Sequence, residues 1–302
     1  MVETASFTVF LETIGVLAVV IFVLSSMLGM GFSLTLREIA ESLKNLRLVV
    51  LALVANFVLV PLLALVLLLI FPLSEGLSIG LFVLGAAAGA PFLPKLAQVA
   101  KGNMAFAMGL MVLLMVVTIA YMPIVLPLLL PGIAIDPWAI ARSLVLLMLI
   151  PLAIALLVRA RYERVATGLL PLMNQAANLS LLTLIVAFFV VYFDDIGGVV
   201  GTTAVLATII FVLVSFAIGY LLGGPDGGTK RVLGVGTAQR NISAALAIAA
   251  LNFTDPDVMV MILVVGLAGL VLLMLLGGER GRRAEAASGT ARQERSAKRS
   301  QG

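Results

Sequence analysis

A helix needs about 20 mostly apolar residues to cross roughly 30 Å of hydrocarbon, and this chain supplies nine such runs. They lie at 8–30, 47–70, 76–100, 104–130, 138–158, 168–193, 198–222, 230–252 and 257–276. Short polar stretches such as Phe71–Glu75 and Pro131–Pro137 separate them. Barrel strands would be half as long and would alternate polar with apolar residues. The expected class is therefore an all-α integral membrane protein with nine transmembrane helices. Composition agrees, since 62% of the residues are hydrophobic and only 11% charged, against roughly 25% charged in a soluble domain. A soluble globule of this size could not cover its surface with so few charges. Cys and His are both absent, which removes disulfides, thiolate and imidazole metal sites and the usual nucleophile–base pairs. We expect no enzyme and no cofactor.

The net charge of +4 is read here as a topology signal rather than an affinity for nucleic acid. With the N-terminus taken as outside, 16 of the 19 basic residues fall on the inner side. Arg37, Lys44 and Arg47 lie in the first inner loop, Lys101 in the second, Arg159, Arg161 and Arg164 in the third, Lys230 and Arg231 in the fourth, and seven in the C-terminal tail. The outer segments carry Glu3, Glu12, Glu75, Asp136, Asp194, Asp195, Asp255 and Asp257, with no Lys or Arg outside a span. A single miscounted helix would scramble every later loop, so this regularity supports both the count and an N-out, C-in orientation. We place the chain in a prokaryotic inner membrane. The N-terminus lacks the basic region and small-residue cleavage site of a secretory signal, so Met1 onward is expected to be mature sequence. Residues 1–277 are expected to form one transmembrane domain and 278–302 a disordered cytoplasmic tail that meets anionic lipid. Thr35–Asn45 has helical spacing of Leu36, Ile39, Ala40 and Leu43 and is expected to lie along the inner surface.

Two runs are interrupted. The third contains Gly85, Gly89, Pro91, Pro94, Lys95 and Gln98, and two prolines three residues apart argue against a continuous helix. The eighth contains Gly234, Gly236, Thr237, Gln239, Arg240, Asn241 and Ser243, a polar stretch at mid-membrane. Gly89, Pro91, Pro94, Gly234 and Gly236 are the expected break positions. The interrupted run is third in each half if residues 8–130 and 168–276 form two repeats joined by a connecting helix at 138–158. A four-helix repeat ends on the side where it began, so the single connecting helix makes the second repeat inverted. Paired broken helices in corresponding positions of inverted repeats point to a transporter's binding site.

Three stretches carry a resemblance to a known family. Met30–Leu36 after the first run, Ala100-Lys101-Gly102-Asn103 after the interrupted third, and Gln239-Arg240-Asn241 with the following Ile-Ser-Ala-Ala-Leu-Ala resemble signatures of the bile acid:sodium symporter family. The resemblance spans residues 8–277. It implies a nine- or ten-helix transporter with a panel and a core domain, two broken helices crossing in the core, and organic anions carried with sodium. The implied sodium ligands are largely replaced. Pro91-Phe92-Leu93-Pro94-Lys95 stands where the family has a Thr-Ala-Ser-Asn type segment, Ala107 and Met111 where it has Ser and Thr, and Val235 or Gly234 where it has an acid. Apolar side chains do not ligate a hard cation. Gln239 is the one remaining candidate sodium ligand, and sodium binding in the family's manner is not expected.

Lys95, Arg142 and Arg240 remain once the loops are assigned. Arg142 sits near an outer boundary beside Trp138 and suits an interfacial anchor. Lys95 is six residues from Lys101, about 9 Å of helix, so it either snorkels inward or lines a cavity. Arg240 is about 14 Å of helix beyond Arg231. A cation at that depth costs roughly 2.5–3.5 kcal/mol and persists for a reason. No acid lies near it in the sequence, and the expected partner is an anionic substrate. The candidate binding residues are Arg240, Lys95, Gln239, Asn241, Thr237 and Ser243. Asn56 and the Asn174, Gln175, Asn178 group read as interhelical hydrogen-bonding residues. The function expected is alternating-access transport of a small organic anion, with a small organic anion and membrane lipid as partners. A conventional sodium-coupled symporter and a non-transporting membrane receptor stand as alternatives.

Overall fold

The computed structural model describes residues 2–35, 37, 40, 44–129, 136–191 and 203–300, and these form helices joined by short connections. In chain order they are α1 (Val2–Ser33), α2 (Leu46–Ile70), α3 (Glu75–Ala86), α4 (Leu93–Val99), α5 (Met104–Leu129), α6 (Pro137–Arg161), α7 (Glu163–Val191), α8 (Thr203–Leu222), α9 (Gly227–Ala238), α10 (Ile242–Asn252) and α11 (Pro256–Ser300). Polar side chains set the starts. Asn45, Ser74, Asn103, Asp136, Asp226 and Asn241 each accept a hydrogen bond from a first-turn backbone N–H of α2, α3, α5, α6, α9 and α10. Each meets one of the orphan donors that every helix N-terminus carries.

Among the described residues seven helices are long and apolar enough to span a bilayer: α1, α2, α5, α6, α7, α8 and α11. The protein is an all-α, multi-spanning integral membrane protein. The third and eighth apolar runs are each split into two short helices, α3 with α4 and α9 with α10. Helix α1 packs along α7 and α6 as one group, while α2 to α5 and α8 to α11 pack mainly among themselves. The two groups meet through α10, which lies against α1 and the first turns of α6, and through α5, which lies against α6.

Three of the segments given to the inner side by charge meet. Lys101 Nζ is 2.8 Å from Glu285, Arg231 donates to the Lys101 carbonyl, and the Arg280 guanidinium lies over the Tyr220 ring. Segments given to the outer side meet elsewhere, where Ser74 Oγ donates to Asp257. Trp138, 76% exposed, and exposed Arg142 stand together in the first turns of α6. The surface helix expected at Thr35–Asn45 falls largely outside the described residues.

Two expectations need correction. The segment from 278 was expected to be a disordered tail, yet α11 continues as helix to Ser300. Its Ala, Glu, Arg and Lys are strong helix formers, and Glu279 pairs with Arg282 and Arg283 one turn on. The Asn174, Gln175, Asn178 group was expected to bridge helices but lies exposed on α7.

Candidate functional site

The first break spans residues 87–92. Gly89 adopts φ +80°, a left-handed conformation that costs a side chain dearly, and a Cβ there would run into the backbone of Met115 on α5. Pro94 sits in the first turn of α4, where a missing N–H costs nothing. Pro91 lies in the turn before it. Gly89 and the two prolines thus lie between the end of α3 and the first turn of α4.

The second break does not fall at Gly234 and Gly236. Both lie inside α9, and the helix stops at Ala238, leaving Gln239, Arg240 and Asn241 as the break. These glycines serve close packing instead: a Cβ on Gly234 would press on Phe216 of α8, and one on Gly236 on Leu93 of α4.

Asn241 ties the two breaks together. Its backbone N–H donates to Ala87 O at 2.9 Å, and its side-chain amide donates to Ala88 O and Gly89 O. Its Oδ1 accepts from Ala244 N and so caps α10. Thr118 on α5 completes the set, accepting from Ala88 N and donating to Ala88 O at 3.0 Å. The freed carbonyls of 87–89 and the Ala88 N–H thereby find partners inside the protein, as a membrane interior requires.

Arg240, 2% exposed, is fully engaged. Nε donates to Leu84 O, Nη1 to Asn56 Oδ1 at 2.8 Å and to Thr237 O, and Nη2 to Gly85 O at 2.6 Å and to Asn56 O. A guanidinium has five N–H donors, and all five are used. The partner expected for Arg240 was a substrate anion; the structure supplies protein oxygens instead. Leu84 and Gly85 lie in the last turn of α3 and Thr237 in that of α9, where carbonyls carry the negative end of the helix dipole.

Asn56 donates to Thr237 Oγ1 across helices, as the interhelical reading expected, but its larger part is to present two oxygens to Arg240. It sits in a π turn, Ala55–Leu59, whose closing N–H of Val60 bonds Ala55 O. Pro61 has no N–H, so it supplies neither the i+4 bond to Phe57 O nor the i+5 bond to Asn56 O. Arg240 takes the second and the Tyr121 hydroxyl the first, at 2.7 Å. Tyr121 and Thr118 were missed in the sequence, although both are polar positions in an apolar run.

Two of the remaining candidates keep uncommitted polar atoms. Gln239 is 5% exposed, and its side-chain amide bonds no described residue. It borders a cavity of about 10 Å³ lined by Leu84, Ala238, Arg240, Val265, Gly266 and Gly269, near the lower limit for one water-sized occupant. Ser243 is buried at the start of α10, with no described partner for its hydroxyl. Thr237 is buried and spent on Asn56 and Arg240. Lys95 is exposed on α4, at three-residue spacing with exposed Phe92 and Gln98.

A family model described as the Sodium Bile acid symporter family matches residues 20–199, more than half of the chain. The chain belongs to this family. No curated protein gives a match. The matched stretch holds the first break, while the second lies beyond it. As a member of the sodium bile acid symporter family the protein is a secondary transporter-like membrane protein rather than an enzyme. At the positions where the resemblance implied sodium ligands, Ala107, Met111 and Val235 are buried and apolar.

Proposed function

We propose that the protein carries a small organic anion across the membrane by alternating access, without sodium bound in the family's manner. The observation that carries this reading is the exposed stripe of Phe92, Lys95 and Gln98 at the start and along α4, which ends at the break held by Asn241 and Thr118. A lysine at this depth would not face lipid, so the stripe is read as one wall of an aqueous vestibule. Exposed Asn174, Gln175 and Asn178 on α7 suit the facing wall. Lys95 attracts the anion, and the uncommitted groups of Gln239 and Ser243 orient it. Arg240, Asn241 and Thr237 hold the crossing rigid beside it.

The nine apolar runs are read as spans in two inverted repeats, α1 to α5 and α7 to α11, joined by α6. The packing is paired in support of this. Helix α2 lies on α3 as α8 does on α9, α3 on α11 as α9 on α5, and α4 on α9 as α10 on α3. One pair is unequal: α10 is covered by α1 and α6, while α4 has no comparable packing against α1, α6 or α7. With the N-terminus outside and the C-terminus in the cytoplasm of a prokaryotic cell, α4 lies on the inner half and the vestibule opens inward.

Reconstitution into proteoliposomes tests the reading. Uptake of a transported carboxylate is expected to continue when sodium is replaced by choline at constant pH, and to fall at least tenfold in Lys95→Gln with the melting temperature unchanged. Uptake that collapses in choline would return the protein to conventional sodium symport.

A further inference from the structure

The surroundings of Arg240 have the form of a cation site. Five oxygens from three segments converge on the guanidinium: Leu84 O and Gly85 O of α3, Thr237 O of α9, and both oxygens of Asn56 on α2. None is a carboxylate. They are backbone carbonyls and an amide, two sets of them at the C-terminal ends of half-helices. Unwound carbonyls and half-helix C-termini are what transporters use to hold an exchangeable monovalent cation. Hard cations take such oxygen ligands, amide oxygens included. The Pro61 π turn adds to the set by leaving Asn56 O without a helical donor.

We propose that Arg240 is a tethered cation: its guanidinium permanently fills an oxygen-lined monovalent-cation site at the crossing of the two breaks, and the site accepts a free cation when the side chain is cut back. In a cation-coupled carrier the ion that neutralises these carbonyls arrives and leaves with each cycle. Here it is covalently attached, so the two breaks stay joined whatever the external salt. The inference concerns cation binding alone and stands whether or not the protein carries an organic anion.

The test is thermal unfolding of the full chain in detergent, followed by intrinsic fluorescence, in guanidinium, sodium, potassium or choline chloride at low-millimolar concentration and constant ionic strength. Arg240→Ala is expected to melt below wild type and to be raised, saturably, by guanidinium, the probe with the shape of the missing group. Wild type is expected not to respond. A saturable rise of Arg240→Ala with sodium or potassium supports the site equally. The proposal is overturned if no cation raises Arg240→Ala above its value in choline, or if guanidinium raises wild type as much. Should Arg240→Ala not survive extraction, two conservative variants decide. Arg240→Lys keeps the charge and Arg240→Gln keeps hydrogen-bonding capacity without it. Lys is expected to melt above Gln, and Lys at or below Gln overturns the proposal.

Discussion

Glycines in this protein do two different jobs, and a methyl group tells them apart. Gly89 holds a left-handed backbone against Met115, so its missing side chain is a condition of the first break. Gly168, in the exposed part of α7, has nothing within 4 Å of where a Cβ would stand, and there the missing side chain only adds freedom to the unfolded chain. Gly89→Ala is expected to cost more than about 1 kcal/mol, and Gly168→Ala to gain about 0.4–1 kcal/mol. Melting temperatures of the two variants in one detergent check this; a drop in both would mean that the helix at Gly168 has a neighbour the monomer does not show. Arg240 makes a related point about charge. Its partners could not be read from the sequence, because carbonyl oxygens occur at every residue and carry no letter. The sequence places no acid beside it and so points to a ligand, where the fold supplies Asn56 and the ends of α3 and α9.

At the scale of elements, neither proline nor glycine by itself compels a break. Pro91 and Pro94 each remove a donor, but so do Pro123 and Pro127, which α5 runs through; what ends the run at the first break is the left-handed backbone of Gly89 beside them. Gly234 and Gly236 permit a break without compelling one, and α9 runs through both to end at Ala238. The seven long apolar helices, their order and the splitting of two further apolar runs were legible because length and periodicity are properties of side chains. The π turn in α2 was not, although Pro61 is its visible cause; α6 repeats the device, with a π turn at Val145–Leu149 just before Pro151. If Pro61 creates the orphan carbonyl that Tyr121 satisfies, the two residues must be coupled. Tyr121→Phe is expected to cost about 1 kcal/mol in wild type and clearly less in Pro61→Ala, where a backbone N–H competes for Phe57 O. A double-mutant cycle on thermal stability should return about 0.5–1 kcal/mol of coupling; additive variants would show that the π turn forms without Pro61.

For the whole molecule, the unequal cover of α4 and α10 is the feature that an alternating-access cycle must explain. On the proposed inverted repeat the two short helices are equivalent, and burying one against α1 and α6 while exposing the other would be one of two mirror states. The opposite state would cover α4 and uncover α10. The chain contains no cysteine, so single-cysteine variants report accessibility without background. Gln98→Cys on α4 is expected to react with a membrane-impermeant maleimide offered from the cytoplasmic side of oriented vesicles, and slowly or not at all from the outside. Ala247→Cys, buried in α10, is expected to resist reagent from both sides while the protein rests in this state. A transported anion that shifts the population toward the opposite state should slow the first reaction and bring on the second from the outside. If Gln98→Cys reacts only with lipid-soluble reagents, the α4 stripe faces the bilayer, and both the vestibule and the role given to Lys95 fail with it.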